Sequence, residues 1–170
     1  MIAGSGLPEE AEFWQWLDAL RELPPAEHHV WVMHSPLFID DLREGNFDVR
    51  DAAQYNAWYF GIDEPQRGRL FDVMKATGVE LVLSGHVHCR KTHRAEGIRF
   101  EIGASTAFPQ WADRWPDGDA TLGFELCRVT DGGIEVEFVP LARTSSARGY
   151  GPGGHPLPEL RDYSIAWEKD

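Results

Sequence analysis

The chain has 170 residues, of which 42% are hydrophobic and 12% aromatic, so it can bury the core of one folded domain. Its formal net charge of −12 argues against binding to a nucleic-acid duplex, which relies on clustered Lys and Arg, but leaves open a small phosphorylated substrate held by a divalent metal. Two cysteines, no apolar run of about 20 residues and no signal-peptide pattern predict a cytoplasmic protein without a membrane span.

A helix is predicted over residues 7–23, ended by Pro24. Its apolar side chains recur at i, i+3, i+4 and i+7, namely Phe13, Trp16, Leu17 and Leu20. The apolar run 29–33 then predicts a buried strand that leads directly into His34. We expect an irregular segment over 39–62, whose aromatic residues either form a lid or pack onto the core.

A second strand, 81–84, follows a helix that we expect to begin with Asp63 as its N-cap and to end at Gly78. Strand, helix, strand is a βαβ unit, which brings the carboxyl ends of two parallel strands to one edge of a sheet. His34 follows the first strand, and His86 and His88 follow the second after Gly85. Neutral imidazole is the commonest protein metal ligand, so these three histidines are a candidate metal site. For each of the three, the alternative is a histidine that lies at a strand end and has its ring hydrogen-bonded to the backbone.

The chain after His88 predicts antiparallel strands. Residues 98–102 alternate between apolar and polar, as do 122–127 and 134–138 on either side of an Asp131-Gly132 turn. Two alternating runs around Asp-Gly are a strong hairpin signal. From residue 142 the chain is rich in Gly, Ser and Pro, which predicts an irregular tail over 142–170 that wraps the domain formed by 1–141.

Two of these motifs resemble the calcineurin-like metallophosphoesterase family. They are His34-Ser35-Pro36 and Ser84-Gly85-His86-Val87-His88, separated by the βαβ crossover, and the resemblance covers about residues 7–138. Tyr59-Phe60 and Pro65-Gln66-Arg67 are similar to its cyclic-nucleotide phosphodiesterase and purple-acid-phosphatase-like branch. The resemblance implies an α/β fold, with 1–141 as a partial metallophosphoesterase domain: the carboxyl half of a four-layer α/β/β/α sandwich, with the βαβ unit followed by antiparallel strands.

The resemblance also implies a metal-dependent phosphoester hydrolase. In an intact member two divalent ions (Mn, Fe, Zn or Ni) activate a water molecule and neutralise phosphoryl charge. Carried over by motif, His34 and His86 would bind one metal and His88 the other. His93 follows Arg90, Lys91 and Thr92 in a segment that we expect to be a polar turn, and it could at most touch the phosphate of a substrate.

The chain departs from the family pattern because the Asp-x-His, Gly-Asp and Gly-Asn-His motifs are absent ahead of His34. Those motifs supply the bridging carboxylate and the acid histidine. We therefore expect at most one metal, little or no hydrolysis by this chain alone, and no assignable catalytic residue. Substrate, metal identity and oligomeric state stay open.

Two other functions are compatible with these residues. One is a non-catalytic binding module that pairs through an exposed sheet edge, with itself or with a partner. The other is a zinc site in which Cys89 joins His86 and His88. The zinc site is disfavoured because Cys89 and His88 are adjacent residues at a strand end and point in opposite directions.

Overall fold

The computed structural model describes residues 6–144, which form three helices and six strands. The helices are α1 (Glu9–Ala19, continued by a 3-10 turn at Leu20–Glu22), α2 (Ala52–Phe60) and α3 (Gln66–Ala76). The strands are β1 (Val30–Val32), β2 (Leu81–Ser84), β3 (Lys91–Ala95), β4 (Ile98–Ile102), β5 (Gly123–Thr130) and β6 (Gly133–Pro140). Within residues 6–144, no helix has the length and apolar character that a bilayer span requires.

A four-stranded mixed sheet in the order β1-β2-β4-β3 organises the fold. Strand β1 pairs in parallel with β2 and β2 with β4, whereas β3 is antiparallel to β4. In the register Trp31 lies opposite Val82, which lies opposite Phe100. The predicted βαβ unit and the α/β class are therefore confirmed, but β4, which was expected among the antiparallel strands, also pairs in parallel with β2. The carboxyl ends of β1 and β2 share one edge of the sheet.

The helix α3 and the stripe of α1 cover one face of this sheet. Leu17 of α1 and Val73 and Met74 of α3 are fully buried against Val82 and Phe100. Phe13 and Leu20 of the predicted α1 stripe pack against the same cluster, whereas Trp16 is 58% exposed and Trp14, outside the stripe, is buried in its place. Burial of one apolar face explains why both segments are helical.

Three local predictions were wrong. The segment 39–62 was expected to lack regular structure, but α2 forms within it, begun by the Asp51 carboxylate, which accepts a hydrogen bond from the Ala53 N–H. Asp63 does not cap α3 through its side chain, since the cap position is Pro65. The polar run after Arg90 was expected to be a turn, but it is strand β3. It shows no apolar alternation because it is an edge strand, with two of its five residues exposed and the other three only partly buried.

The predicted hairpin is confirmed as β5 and β6, which form a separate two-stranded antiparallel sheet. It covers the face of the larger sheet opposite to α1 and α3, where the Arg90 guanidinium lies 3.7 Å from the centre of the Phe138 ring. A polar cavity of about 370 Å³ separates the two sheets. The tail prediction over 142–170 falls almost entirely outside the described residues.

Glu125 lines this cavity, and burial raises the pKa of its carboxyl, with Glu101 adding repulsion and Arg90 opposing the shift. A raised carboxyl pKa in the folded state means that folding disfavours the charged form, so the ionised group lowers stability above that pKa. We expect Glu125→Gln to increase the melting temperature at pH 8. The gain should shrink as the pH falls toward about 4, where the wild-type carboxyl is protonated. Thermal unfolding of both proteins at the two pH values measures this; an equal difference at both would contradict it.

Candidate functional site

Two histidines meet at the carboxyl edge of the parallel strands. The Nε2 atom of His34 lies 3.0 Å from the Nδ1 atom of His86, and the ring centres are 4.4 Å apart. His34 is exposed and His86 is half-buried. Two ring nitrogens at this distance either share one proton in a hydrogen bond or present both lone pairs to one cation.

Backbone hydrogen bonds at the strand ends bring the pair together. The Gly85 N–H donates to the His34 carbonyl at 2.9 Å, which continues the β1–β2 ladder past the last strand residues. The Val87 N–H then donates to the Gly85 carbonyl at 2.8 Å, closing a three-residue turn around His86. His86 has a φ of 69° in this turn, and His88 follows with a φ of 57°. Side chains other than Gly rarely adopt such angles, and strain of this kind concentrates at functional sites.

The residues that alternate with these histidines anchor the turn. Val87 and Cys89 are fully buried, in a cluster with Phe60, Ile102 and Trp111. Their burial fixes the backbone and leaves His86 and His88 on the outer side. It also removes Cys89 from a shared site with the histidines, and burial raises the pKa of its thiol, which disfavours the thiolate that a metal would need.

Burial lowers the pKa of His86, and the neighbouring His34 lowers it further. A hydrogen bond to the Tyr59 backbone opposes these effects. The ring is therefore neutral at neutral pH, with one nitrogen held by a backbone carbonyl and the other facing His34. Metal-ligating histidines commonly have this arrangement.

His88 lies close enough for His34 to influence its titration, but it does not join the contact between the other two rings. Burial lowers its pKa, whereas a hydrogen bond to the Phe108 backbone raises it. The Phe108 ring packs edge-on against it with 4.4 Å between ring centres. Its Nδ1 atom is buried and has no hydrogen-bond partner among residues 6–144.

An aromatic wall beside the histidines was not identified as part of the site from the sequence. The rings of Tyr59 and Phe60, at the end of α2, lie 5.1 and 4.6 Å from that of His86. Trp111 packs edge-on against Phe60 and has a φ of 58°. In the sequence, the aromatic residues just before Gly61 could have indicated this wall. The fold places them beside the histidines.

The side chains at this edge of the sheet meet only some of the requirements of a metal site. In a tetrahedral site with metal–nitrogen distances of about 2.0–2.1 Å, two nitrogens lie about 3.3 Å apart, close to the separation of the His34 and His86 atoms. However, residues 6–144 contain no group of three or more His, Cys, Asp or Glu side chains arranged to hold a metal. The structure thus brings together two of the three predicted ligands and leaves His88 outside a three-ligand group.

His93, the fourth predicted site residue, lies apart from this pair on β3. Its ring packs against Phe38 and Trp115, with ring centres 5.1 and 6.2 Å apart, and burial lowers its pKa. Its contact with a substrate phosphate stays a prediction.

Fold and site together define a mixed α/β domain that carries an imidazole pair at the carboxyl edge of its parallel strands. No family model matches the chain. No curated protein matches it either. Among solved structures, it is similar to one described as GAP50, the anchor in the inner membrane complex of Plasmodium, with 15% sequence identity and a TM-score of 0.56. The match covers 82% of this chain and 42% of that chain, so this chain spans less than half of that protein.

These comparisons correct the expected family. Membership of the calcineurin-like metallophosphoesterase family is contradicted, because the structural neighbour is described as a membrane-complex anchor and not as a metallophosphoesterase. The two histidine motifs are short, and a short motif at a strand end matches a family pattern by chance more easily than a long one. At 15% identity the likeness concerns the fold alone.

Proposed function

We propose that this chain binds one divalent transition-metal ion through His34 and His86, and that this site serves the hydrolysis of a small phosphorylated substrate. The observation that carries the proposal is the 3.0 Å approach of the two ring nitrogens. The positive φ angles of His86 and His88 support it, since a strained turn is retained where it positions a functional group.

The chain's own residues would orient the site. Tyr59 fixes the His86 ring through its backbone, and the aromatic wall of Tyr59, Phe60 and Trp111 limits the access of water from one side. When bound, a divalent cation supplies Lewis acidity toward a phosphoryl oxygen and makes water a stronger nucleophile. Imidazole donors suit Zn, Mn, Fe and Ni alike.

Two imidazoles alone leave the coordination incomplete, so the remaining ligands would come from outside residues 6–144. We therefore expect weak or no hydrolysis by this chain by itself. In the same proposal, the layer of α1 and α3, the four-stranded sheet and the β5–β6 sheet are three layers of an α/β/β/α sandwich.

Metal and phosphate titrations test this function. We expect the chain to bind one equivalent of Zn²⁺, Mn²⁺ or Ni²⁺ by isothermal titration calorimetry and elemental analysis. Inorganic phosphate should then bind to the metal-loaded chain and not to the chelator-treated chain. Absence of binding for every one of these ions would refute the metal site. Metal binding without metal-dependent phosphate binding would refute the phosphoester part alone.

A second candidate function is a non-catalytic binding module, and the position of β1 at the edge of the sheet, with Val32 80% exposed, favours it. In this case His34 and His86 share a proton, and the exposed edge of β1 is the functional surface. The structural neighbour's description as an anchor is compatible with such a role. Metal titration separates the two functions, since this one predicts no stoichiometric binding.

A further inference from the structure

His28 contacts two hydrogen-bond acceptors at the edge of the sheet opposite to the histidine pair. Its Nδ1 atom lies 3.0 Å from a carboxylate oxygen of Glu80, and its Nε2 atom lies 2.9 Å from the carbonyl oxygen of Thr130. An ionised carboxylate and a carbonyl only accept hydrogen bonds, whereas a neutral imidazole carries a single N–H. A neutral ring would direct a lone pair at one of the two oxygens. The protonated ring satisfies both, so the geometry favours the imidazolium form of His28.

This contact joins the four-stranded sheet to the β5–β6 hairpin. Glu80 immediately precedes β2, and its backbone is held on both sides, since its N–H donates to the His29 carbonyl and its carbonyl accepts from the Arg99 N–H, both at 3.0 Å. Thr130 is the last residue of β5, where the hairpin turns into β6. His28 therefore connects a rigid part of the sheet to the turn end of the hairpin.

The other end of the hairpin is attached by the backbone. The Gly123 N–H, at the start of β5, donates to the Ser105 carbonyl at 3.0 Å. The eight residues of β5 place this attachment about 23 Å from the turn end. Between the two ends lies the polar cavity of about 370 Å³. Within residues 6–144, the contact between His28 and Thr130 is the hydrogen bond that joins the turn end to the sheet.

We propose that His28 is a pH-sensitive latch: as an imidazolium it holds the turn end of the β5–β6 hairpin against the four-stranded sheet, and it releases that end when it loses its proton. On the side of the sheet the ring faces the Glu80 carboxylate, and Glu27 adds a second negative charge beside it in the chain. On the side of the hairpin it faces a neutral carbonyl. Histidine is the side chain whose charge changes most readily near neutral pH.

The direction of the pH dependence follows from these contacts. The hydrogen bond to Glu80 raises the pKa of His28, burial opposes the rise, and the Thr130 carbonyl and the charges of Glu80 and Glu27 add to it. A histidine whose pKa is raised by folding contributes its full stabilisation below the ordinary value of about 6.5, and loses it as the pH rises through the folded value. The latch is therefore closed in mildly acidic solution and opens toward alkaline pH. Opening would expose the polar cavity.

Nuclear magnetic resonance of the His28 ring tests its protonation in the full chain. Proton–nitrogen correlation spectra should show both ring nitrogens protonated at about pH 6.5, where an ordinary histidine is half neutral, with a titration midpoint above that pH. Glu80→Gln should lower the midpoint because an amide carries no charge. Glu27→Gln should lower it less, because Glu27 acts through its charge alone. A wild-type midpoint at or below about 6.5, or one that Glu80→Gln leaves unchanged, would overturn the proposal.

Alkylation of Cys127 by iodoacetamide tests the release of the hairpin. Cys127 is half-buried on β5, on the same side of the strand as Glu125, which lines the cavity. We expect His28→Ala to react at least about fivefold faster than the wild-type chain at about pH 6, and the two rates to converge by about pH 9, where the wild-type ring is neutral. Comparison at equal pH removes the pH dependence of the thiol itself.

Cys89 is the internal control for this measurement, because it is fully buried and reacts only when the domain unfolds. A rate ratio above one that does not change with pH would show that His28 is a structural contact without a switch. A ratio near one throughout would show that His28 does not hold the hairpin. Either result, or labelling of Cys89 in step with Cys127, would overturn the proposal.

Discussion

Replacing Arg67 with Ala is expected to destabilise the domain by about 3–5 kcal/mol, the cost of breaking a buried ionic cluster by removing one partner. The Arg67 side chain is 1% exposed. Its guanidinium contacts the Glu44 carboxylate at 3.5 Å and the Glu64 carboxylate at 3.2 Å, and it donates to the carbonyls of Glu44 and Ile62. Without Arg67, the Glu44 carboxylate stays largely buried and loses its cationic partner.

Loss of the contact between Arg67 and Glu44 should also affect the loop after His34. The Glu44 carboxylate accepts hydrogen bonds at 2.9 Å from the N–H groups of Ile39 and Asp40. Arg67 thereby ties the loop after His34 to α3. Urea denaturation of the wild-type and variant proteins measures the free energy of unfolding.

Arg69→Ala is the matched control for this measurement. Arg69 lies two residues further along the same helix, is 46% exposed and pairs with Asp18 at 3.0 Å. An exposed pair contributes about 0–1 kcal/mol, and the Arg69 guanidinium, 3.9 Å from the centre of the Trp14 ring, adds about 0.5–1 kcal/mol, so this variant should lose at most about 2 kcal/mol. Similar losses from both arginines would show that Arg67 does not anchor the loop.

Loss of either imidazole of the proposed metal site should have the second large effect. We expect His86→Ala and His34→Ala each to weaken Zn²⁺ binding by at least about 100-fold, since even residues that only orient a ligand contribute 10–100-fold to metal affinity. The two facing nitrogens, 3.0 Å apart, are the proposed ligands, so loss of either ring removes half of the protein's donors to the ion. Competition titration against a chelating dye gives the affinities.

His28→Gln controls for nonspecific binding by histidine. His28 precedes β1 at the opposite end of the strand, where it contacts Glu80 and the Thr130 carbonyl, so its loss should not alter Zn²⁺ affinity. His88→Ala should reduce affinity less than the other two changes, because His88 does not join their contact. Unchanged affinity in His86→Ala would show that the metal, if bound, is held elsewhere.

The parallel pair β1 and β2 was predictable from the sequence because its residues follow simple rules. The apolar runs before His34 and Gly85 could only be buried strands, and a helix between them requires a parallel pair. That topology is why the approach of His34 and His86 could be expected from the sequence. The Asp131-Gly132 turn predicted the β5–β6 hairpin for a similar reason, since its local geometry allows few alternatives.

The features that escaped prediction depend on tertiary contacts. Strand β3 carries polar residues on both faces and becomes a strand only because β4 pairs with it through the Glu96-Gly97 turn, where both residues have a positive φ. Helix α2 is short and has no regular apolar stripe. It is stabilised by the burial of Ala57 and Phe60. The position of the His88 side chain could not be predicted, because the strained turn at His86 sets the direction of the chain that follows it.

X-ray absorption spectroscopy of the Zn²⁺-loaded chain tests the metal site most directly. The proposed site predicts scattering from two imidazole rings per zinc, with nitrogen at about 2.0–2.1 Å and no sulfur at about 2.3 Å. In His86→Ala the imidazole signal should fall or the zinc should be lost altogether. A spectrum without imidazole scattering, or one that His86→Ala leaves unchanged, would contradict binding through His34 and His86.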